Sequence, residues 1–206
     1  DSLALLYSLA TLRRYYPKKF ELIAITVHPG SNTFKTDELE KICKDLNVEY
    51  VVYTSDLAKI VFDIRQEKNP CSLCANLRRG MLNSVAVEHG CNKVALGHHL
   101  DDAIETLLMS MFLNGKIYTF APVTYLSKSN LNVIRPLVYV YEKDIRALSR
   151  EMKFPVMGKC CPADGTTKRE YMKELLYKFV VDIPNVRANM MGAIKRANIN
   201  GWKEFK

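Results

Sequence analysis

Two thiol pairs carry the strongest chemical signal in this chain: Cys71 and Cys74, spaced as CSLC, and Cys160-Cys161 before Pro162. Thiolates at a helix start are stabilised by its positive end, and 71–74 follow Asn69-Pro70 and precede a helical pattern. Four uses remain open on spacing alone: two buried small side chains, a zinc site, a redox pair or an iron–sulfur cluster. Zinc wants four protein ligands, and adjacent Cys160 and Cys161 would be strained on one ion. Three thiolates suit a cluster with one iron left open. Cys43 and Cys91 fall on a helix inner face and before a strand, and read as core.

A second group lies in GHHLDDAIET at 97–106, after the short strand pattern KVAL at 93–96. Gly97 stands where backbone can bend and approach a ligand closely. Asp101 and Asp102 could be simple helix caps. Two carboxylates beside His98 and His99, at the ligand-binding edge of a parallel sheet, also suit Mg²⁺ and a triphosphate. One histidine is expected to pack inward, and neither need bind metal. Asp1-Ser2 opens a helix, either as its N-cap or as amides that hold a phosphate. Arg135, inside the apolar run VIRPLVYV, is the cation least suited to a decorative role.

The elements that must position these groups alternate. Residues 3–15 read as a helix, 21–27 as a buried strand, and 36–46 as a helix with Thr36 as cap and Leu39, Ile42, Cys43 and Leu46 facing inward. Residues 48–53 read as a strand, 73–89 as a helix, 93–96 as a strand and 101–113 as a helix. This predicts an α/β fold, a parallel sheet wound with helices on both faces, with ligands beyond the carboxyl ends of the strands. Residues 133–140 read as extended, 142–152 as helical, and 168–181 and 185–198 as closing helices. One domain over 1–206 is expected, with a helical C-terminal extension from 167.

The 206 residues carry a formal charge of +8, which favours a polyanionic partner. The aromatic residues near the basic ones are too dispersed in sequence to read as a stacking platform. Six cysteines without compact disulfide spacing read as reduced thiols, so the cytoplasm is the expected compartment. No apolar run is long enough to cross a bilayer, and no membrane association is expected.

Taken in order, Asp1-Ser2, CSLCANLRRG at 71–80, GHHLDDAIET at 97–106, VIRPL at 133–137 and CPADGTTKRE at 161–170 resemble the PP-loop ATPase superfamily. Within it they resemble the TtcA-like tRNA 2-thiocytidine synthetase group. Asp1-Ser2 matches the tail of the family's SGGxDS loop, which puts the first strand and the SGG upstream of this sequence. The resemblance implies that ATP adenylates the C2 oxygen of a tRNA pyrimidine, releasing pyrophosphate, and that a sulfur species then displaces AMP. It implies a [4Fe-4S] cluster on Cys71, Cys74 and Cys161, chosen over Cys160 for its Cys-Pro-Ala-Asp context. It also implies Mg²⁺ with a catalytic Asp102, and Arg78 beside the cluster. Asp1, Ser2, Thr26, His28, Gly97, Asp101 and Arg135 are the implied nucleotide-binding positions. The implied partners are tRNA, a sulfur donor system and a second copy of the chain, since similar enzymes are often dimers. Two other readings compete: a ligase or amidotransferase that adenylates a small acceptor, and a nucleotide-binding module with structural zinc.

Overall fold

In the computed structural model, residues 1–30, 36–65, 70–155 and 167–202 are described. The chain runs α1 (Ser2–Leu12), β1 (Ile23–His28), α2 (Asp37–Asp45), β2 (Glu49–Thr54), a π-helical segment (Lys59–Arg65) and α3 (Pro70–Glu88). It continues through β3 (Lys93–Ala95), α4 (Leu100–Asn114), β4 (Val123–Leu126), β5 (Leu131–Ile134), α5 (Glu142–Glu151), α6 (Lys168–Asp182), α7 (Val186–Arg196) and a 3-10 turn (Ile199–Gly201).

The expected α/β architecture is present. β1 pairs in parallel with β2, from Ile23 opposite Glu49 to His28 opposite Thr54. β3 pairs in parallel with β5. The two-residue period of β3 puts helices on opposite faces. Val94 packs with Ala86 of α3 and with Leu131 and Val133 of β5. Its neighbour Ala95 packs against Ala4 and Leu5 of α1 and Ile145 of α5. Cys43 is buried on α2, whose N-cap position is Thr36, although the threonine side chain makes no cap bond.

Three local expectations are corrected. Residues 133–140 are not one extended run: β5 ends at Ile134, where Pro136 could not continue a ladder. The chain then turns, with Val138 N–H donating to Arg135 C=O (3.2 Å) and Val140 N–H to Leu137 C=O (2.8 Å). The described strands form two sheets, β1-β2 and β3-β5-β4, and the second is not wholly parallel, because β4 pairs antiparallel with β5 through a hairpin. In that hairpin Asn130 takes φ 51°, which asparagine tolerates better than most residues. Finally, α3 begins at Pro70, the position where a proline's missing N–H is harmless, so Cys71 and Cys74 lie inside its first turn rather than before it.

α4 is the most buried helix of the fold. Leu100, Ala103, Ile104, Leu107 and Leu108 share one core with Met172 and Leu176 of α6, Met191 and Ile194 of α7, and Trp202. The C-terminal helices therefore form a wall of the core. Trp202 is fully buried, and its indole N–H donates to Phe120 C=O at 2.8 Å.

Candidate active site at the starts of α1, α3 and α4

The end of β3 and the start of α4 bring the first group together. A Cβ on Gly97 would lie 3.1 Å from Asp1 C and 3.2 Å from Ser2 N, so any larger residue would crowd the close approach of α1 to the strand end. His99 is the N-cap of α4 and forms a capping box with Asp102. Asp102 Oδ2 accepts from His99 N–H at 2.9 Å, and His99 Nδ1 accepts from Asp102 N–H at 3.4 Å. The other ring nitrogen of His99 lies 3.9 Å from Asp1 Oδ2. The buried imidazole thus joins Asp1, which packs against Gly97, to Asp102.

Asp102 has a second neighbourhood that sequence reasoning missed. Its Oδ1 lies 3.5 Å from Arg169 Nη1, which also reaches Glu105 Oε2 at 3.3 Å. Arg169 Nη2 donates to Thr106 Oγ1 at 3.3 Å. Glu105 is buried, and burial reinforced by Asp102 pushes its carboxyl up to about 7, against the pull of Arg169 and Lys173. The available signal was the helical spacing of Asp102 and Glu105, which puts both on one face.

Asp101 and Asp102 do not face the same way. Successive helical residues point about 100° apart, and Asp101 turns inward to α5 and α7. Its Oδ2 accepts from Glu142 N–H at 2.8 Å, and its Oδ1 accepts from Arg187 Nε. Only 2% exposed, it caps α5 and ties down α7, so its carboxylate is committed to the fold.

Arg135 sits below this group. It donates to Ala121 C=O at 2.6 Å and lies over the Phe120 ring, 5.0 Å from its centre. His98 packs on the same ring at 4.9 Å. Two buried polar atoms here have no protein partner among the described residues: His98 Nδ1 and Arg135 Nε. Burial pushes the His98 imidazole down to about 4, with Arg135, Arg169 and His99 adding to the effect and Asp102 opposing it. His98 is therefore neutral near pH 7.

Thr26 and His28 lie elsewhere, on β1. Thr26 Oγ1 accepts from Tyr50 O–H at 3.0 Å, and His28 Nδ1 accepts from Gly30 N–H at 3.1 Å. These contacts tie the end of β1 to β2 and to the turn that follows it.

On α3, Cys71 is exposed and Cys74 half-buried, and neither is in a disulfide. With Arg78, which is exposed, they occupy positions i, i+3 and i+7 of one helix and so share a face. Two thiols one turn apart at a helix N-terminus suit soft-metal ligation. No group of three metal-ligating side chains occurs among the described residues, so the pair needs a further ligand. Cys160 and Cys161 lie outside those residues.

Known proteins resemble this chain over most of its length. A family model described as a PP-loop domain matches residues 1–178. A protein of Citrifermentans bemidjiense named tRNA-cytidine(32) 2-sulfurtransferase is 40% identical over 201 residues, spanning 96% of this chain and 79% of the relative. One of the same name from Geobacter metallireducens is 40% identical over 197 residues, 94% of this chain and 77% of its own length. Among solved structures, the U34-tRNA thiolase NcsA from Methanococcus maripaludis, with its [4Fe-4S] cluster, superposes with a TM-score of 0.75. That match covers 95% of this chain and 67% of NcsA, and at 23% identity it speaks for the fold. On the match over residues 1–178 and the identity to these relatives, the chain belongs to the PP-loop domain family.

Proposed function

We propose that this protein is an ATP-dependent tRNA 2-thiolase that replaces the C2 oxygen of a cytidine, at position 32, with sulfur. The carrying observation is the 40% identity, over 96% of the chain, to a tRNA-cytidine(32) 2-sulfurtransferase. The amide-like C2 oxygen is a poor leaving group. Transfer of AMP from ATP to that oxygen releases pyrophosphate and makes it a good one. Sulfur from a donor system then takes the C2 position, and AMP departs with the oxygen.

The residues fit assigned roles in this reaction. Asp1 and Ser2, packed against Gly97, lie at the start of α1, where the helix dipole favours phosphate. Asp102 is the proposed catalytic, Mg²⁺-associated carboxylate: the capping box fixes Oδ2, and among the described residues Oδ1 has only a long contact to Arg169. Cys71 and Cys74 are the proposed ligands of a [4Fe-4S] cluster, with Cys161 as the third. When bound, such a cluster supplies an iron not held by cysteine, on which sulfur can be carried. Arg78, one turn beyond Cys74, places positive charge beside it, where phosphate charge develops. Arg135, with its unpartnered Nε, and the β1 residues Thr26 and His28 complete the proposed nucleotide pocket. We also take residues 1–206 as one domain acting as a homodimer in the cytoplasm. No described helix is long and apolar enough to cross a membrane.

Nucleoside mass spectrometry of tRNA from a deletion strain tests the reading. Loss of 2-thiocytidine is expected, restored by the wild-type gene. An unchanged thionucleoside profile would overturn it.

A further inference from the structure

The basic residues that sequence scatters along the C-terminal third converge in space on one groove. α5, α6 and α7 enclose a hollow of about 680 Å³, lined by Lys143, Arg146, Arg150 and Arg187 together with Tyr141 and Tyr177. It continues into a neighbouring hollow of about 500 Å³, which shares Tyr141 and adds Tyr139 and Lys195. The aromatics that look dispersed in sequence are thus gathered, and each carries a cation. Lys195 Nζ lies 4.6 Å from the Tyr139 ring centre, Lys143 Nζ lies 5.3 Å from Tyr141, and the Arg187 guanidinium lies 5.5 Å from Tyr177.

Charge accounting favours a polyanion. The acids in the lining are already matched: Asp101 accepts from Arg187, and Glu142 pairs with Arg146 and Lys173. Lys143 and Arg150 have no carboxylate within salt-bridge reach among the described residues. At positions i, i+3 and i+7 of α5, Lys143, Arg146 and Arg150 share a face and step along it by roughly 4.5 and 6 Å. That row of cations matches a chain of repeating anions better than a single charge. Tyrosines interleaved with it offer faces on which unpaired bases stack. The groove is also next to the chemistry, because Asp101 lines it and the adjacent Asp102 faces the site.

We propose that this cation–tyrosine groove is the track that holds single-stranded RNA backbone and unpaired bases of the tRNA beside the active site. The proposal rests on the thiolase reading for the identity of its RNA. The test is fluorescence anisotropy of labelled tRNA at several salt concentrations, with ATP affinity measured alongside by calorimetry. Lys143→Glu with Arg150→Glu should weaken tRNA binding at least tenfold and leave ATP affinity unchanged. Lys143→Gln with Arg150→Gln covers misfolding of the reversed pair, and should lower the slope of log K against log salt by roughly 0.7–0.9 per lost contact. Tyr177→Ala should weaken binding roughly fivefold or more. Wild-type affinity and slope in the glutamine pair would overturn the groove while leaving the thiolase reading intact. So would a change in sedimentation without a change in RNA affinity, which would make this face a self-association surface. Absence of tRNA binding by the wild-type protein would overturn both.

Discussion

The first turns of α3 and α4 carry the two halves of the proposed chemistry, and they are built in opposite ways. On α4, His99, Asp101 and Glu105 are buried, and every carboxylate has a partner within the fold. On α3, Cys71 and Arg78 are exposed, and the nearby Arg79 donates to its own helix, through Ala75 C=O and Asn76. The α4 turn is thus preorganised by the protein itself, while the α3 turn presents an exposed thiol at Cys71. Substitutions should separate accordingly. Those on α3 should remove function with little change in stability, and those on α4 should mix the two.

The sharpest separation is expected at Cys71. Cys71→Ser should abolish the brown chromophore of anaerobically reconstituted protein and all thiolation, while unfolding free energy stays within about 0.5 kcal/mol, as for other exposed positions. A colourless, zinc-replete wild-type protein would break the comparison at its root. Asp102→Ala comes next. Pyrophosphate release should fall by roughly 10³-fold, and loss of the capping box should cost about 1 kcal/mol. Unchanged turnover would remove Asp102 from the mechanism.

Asp101→Ala should behave inversely to Cys71→Ser. It leaves Arg187 and the Glu142 N–H without their acceptor, a loss of about 2–4 kcal/mol by denaturant titration, with ATP affinity near wild type in the folded fraction. A purely catalytic defect would restore Asp101 to the metal site.

The smallest effect is a pH dependence at Glu105. Its folded pKa is raised from 4.5 to about 7. Its contribution to stability is therefore fully present below about 4.5 and is lost as pH rises through about 7. Glu105→Gln does not titrate, so its stability relative to wild type should rise across that window, by on the order of 2 kcal/mol. A flat difference between the two proteins from pH 4.5 to 8 would show that Arg169 keeps the buried carboxylate ionised throughout.

Sequence exposed the parts of this fold that follow a period. α2 shows its inward stripe and β3 its alternation, because each repeats at a spacing set by backbone geometry. It failed where long-range partners decide. Asp101 and Asp102 are equivalent as letters, and only the packing of α5 and α7 against α4 gives them different work. Arg169 reads as one more solvated cation until α6 brings it to α4. Likewise, Tyr139, Tyr141 and Tyr177 become neighbours only through the turn of the helices around the core. The hairpin strand β4, with alternate residues exposed, has too weak an apolar pattern to announce itself.

Trp202 has a consequence for how the protein is made. The apolar face of α4 is complete once Leu108 has been synthesised, but the tryptophan that closes its core comes about ninety residues later. At ordinary translation rates the emerging chain therefore shows that face for roughly 5–20 s. Throughout that interval, the helix that will carry Asp102 is a client for chaperones and a hazard for aggregation.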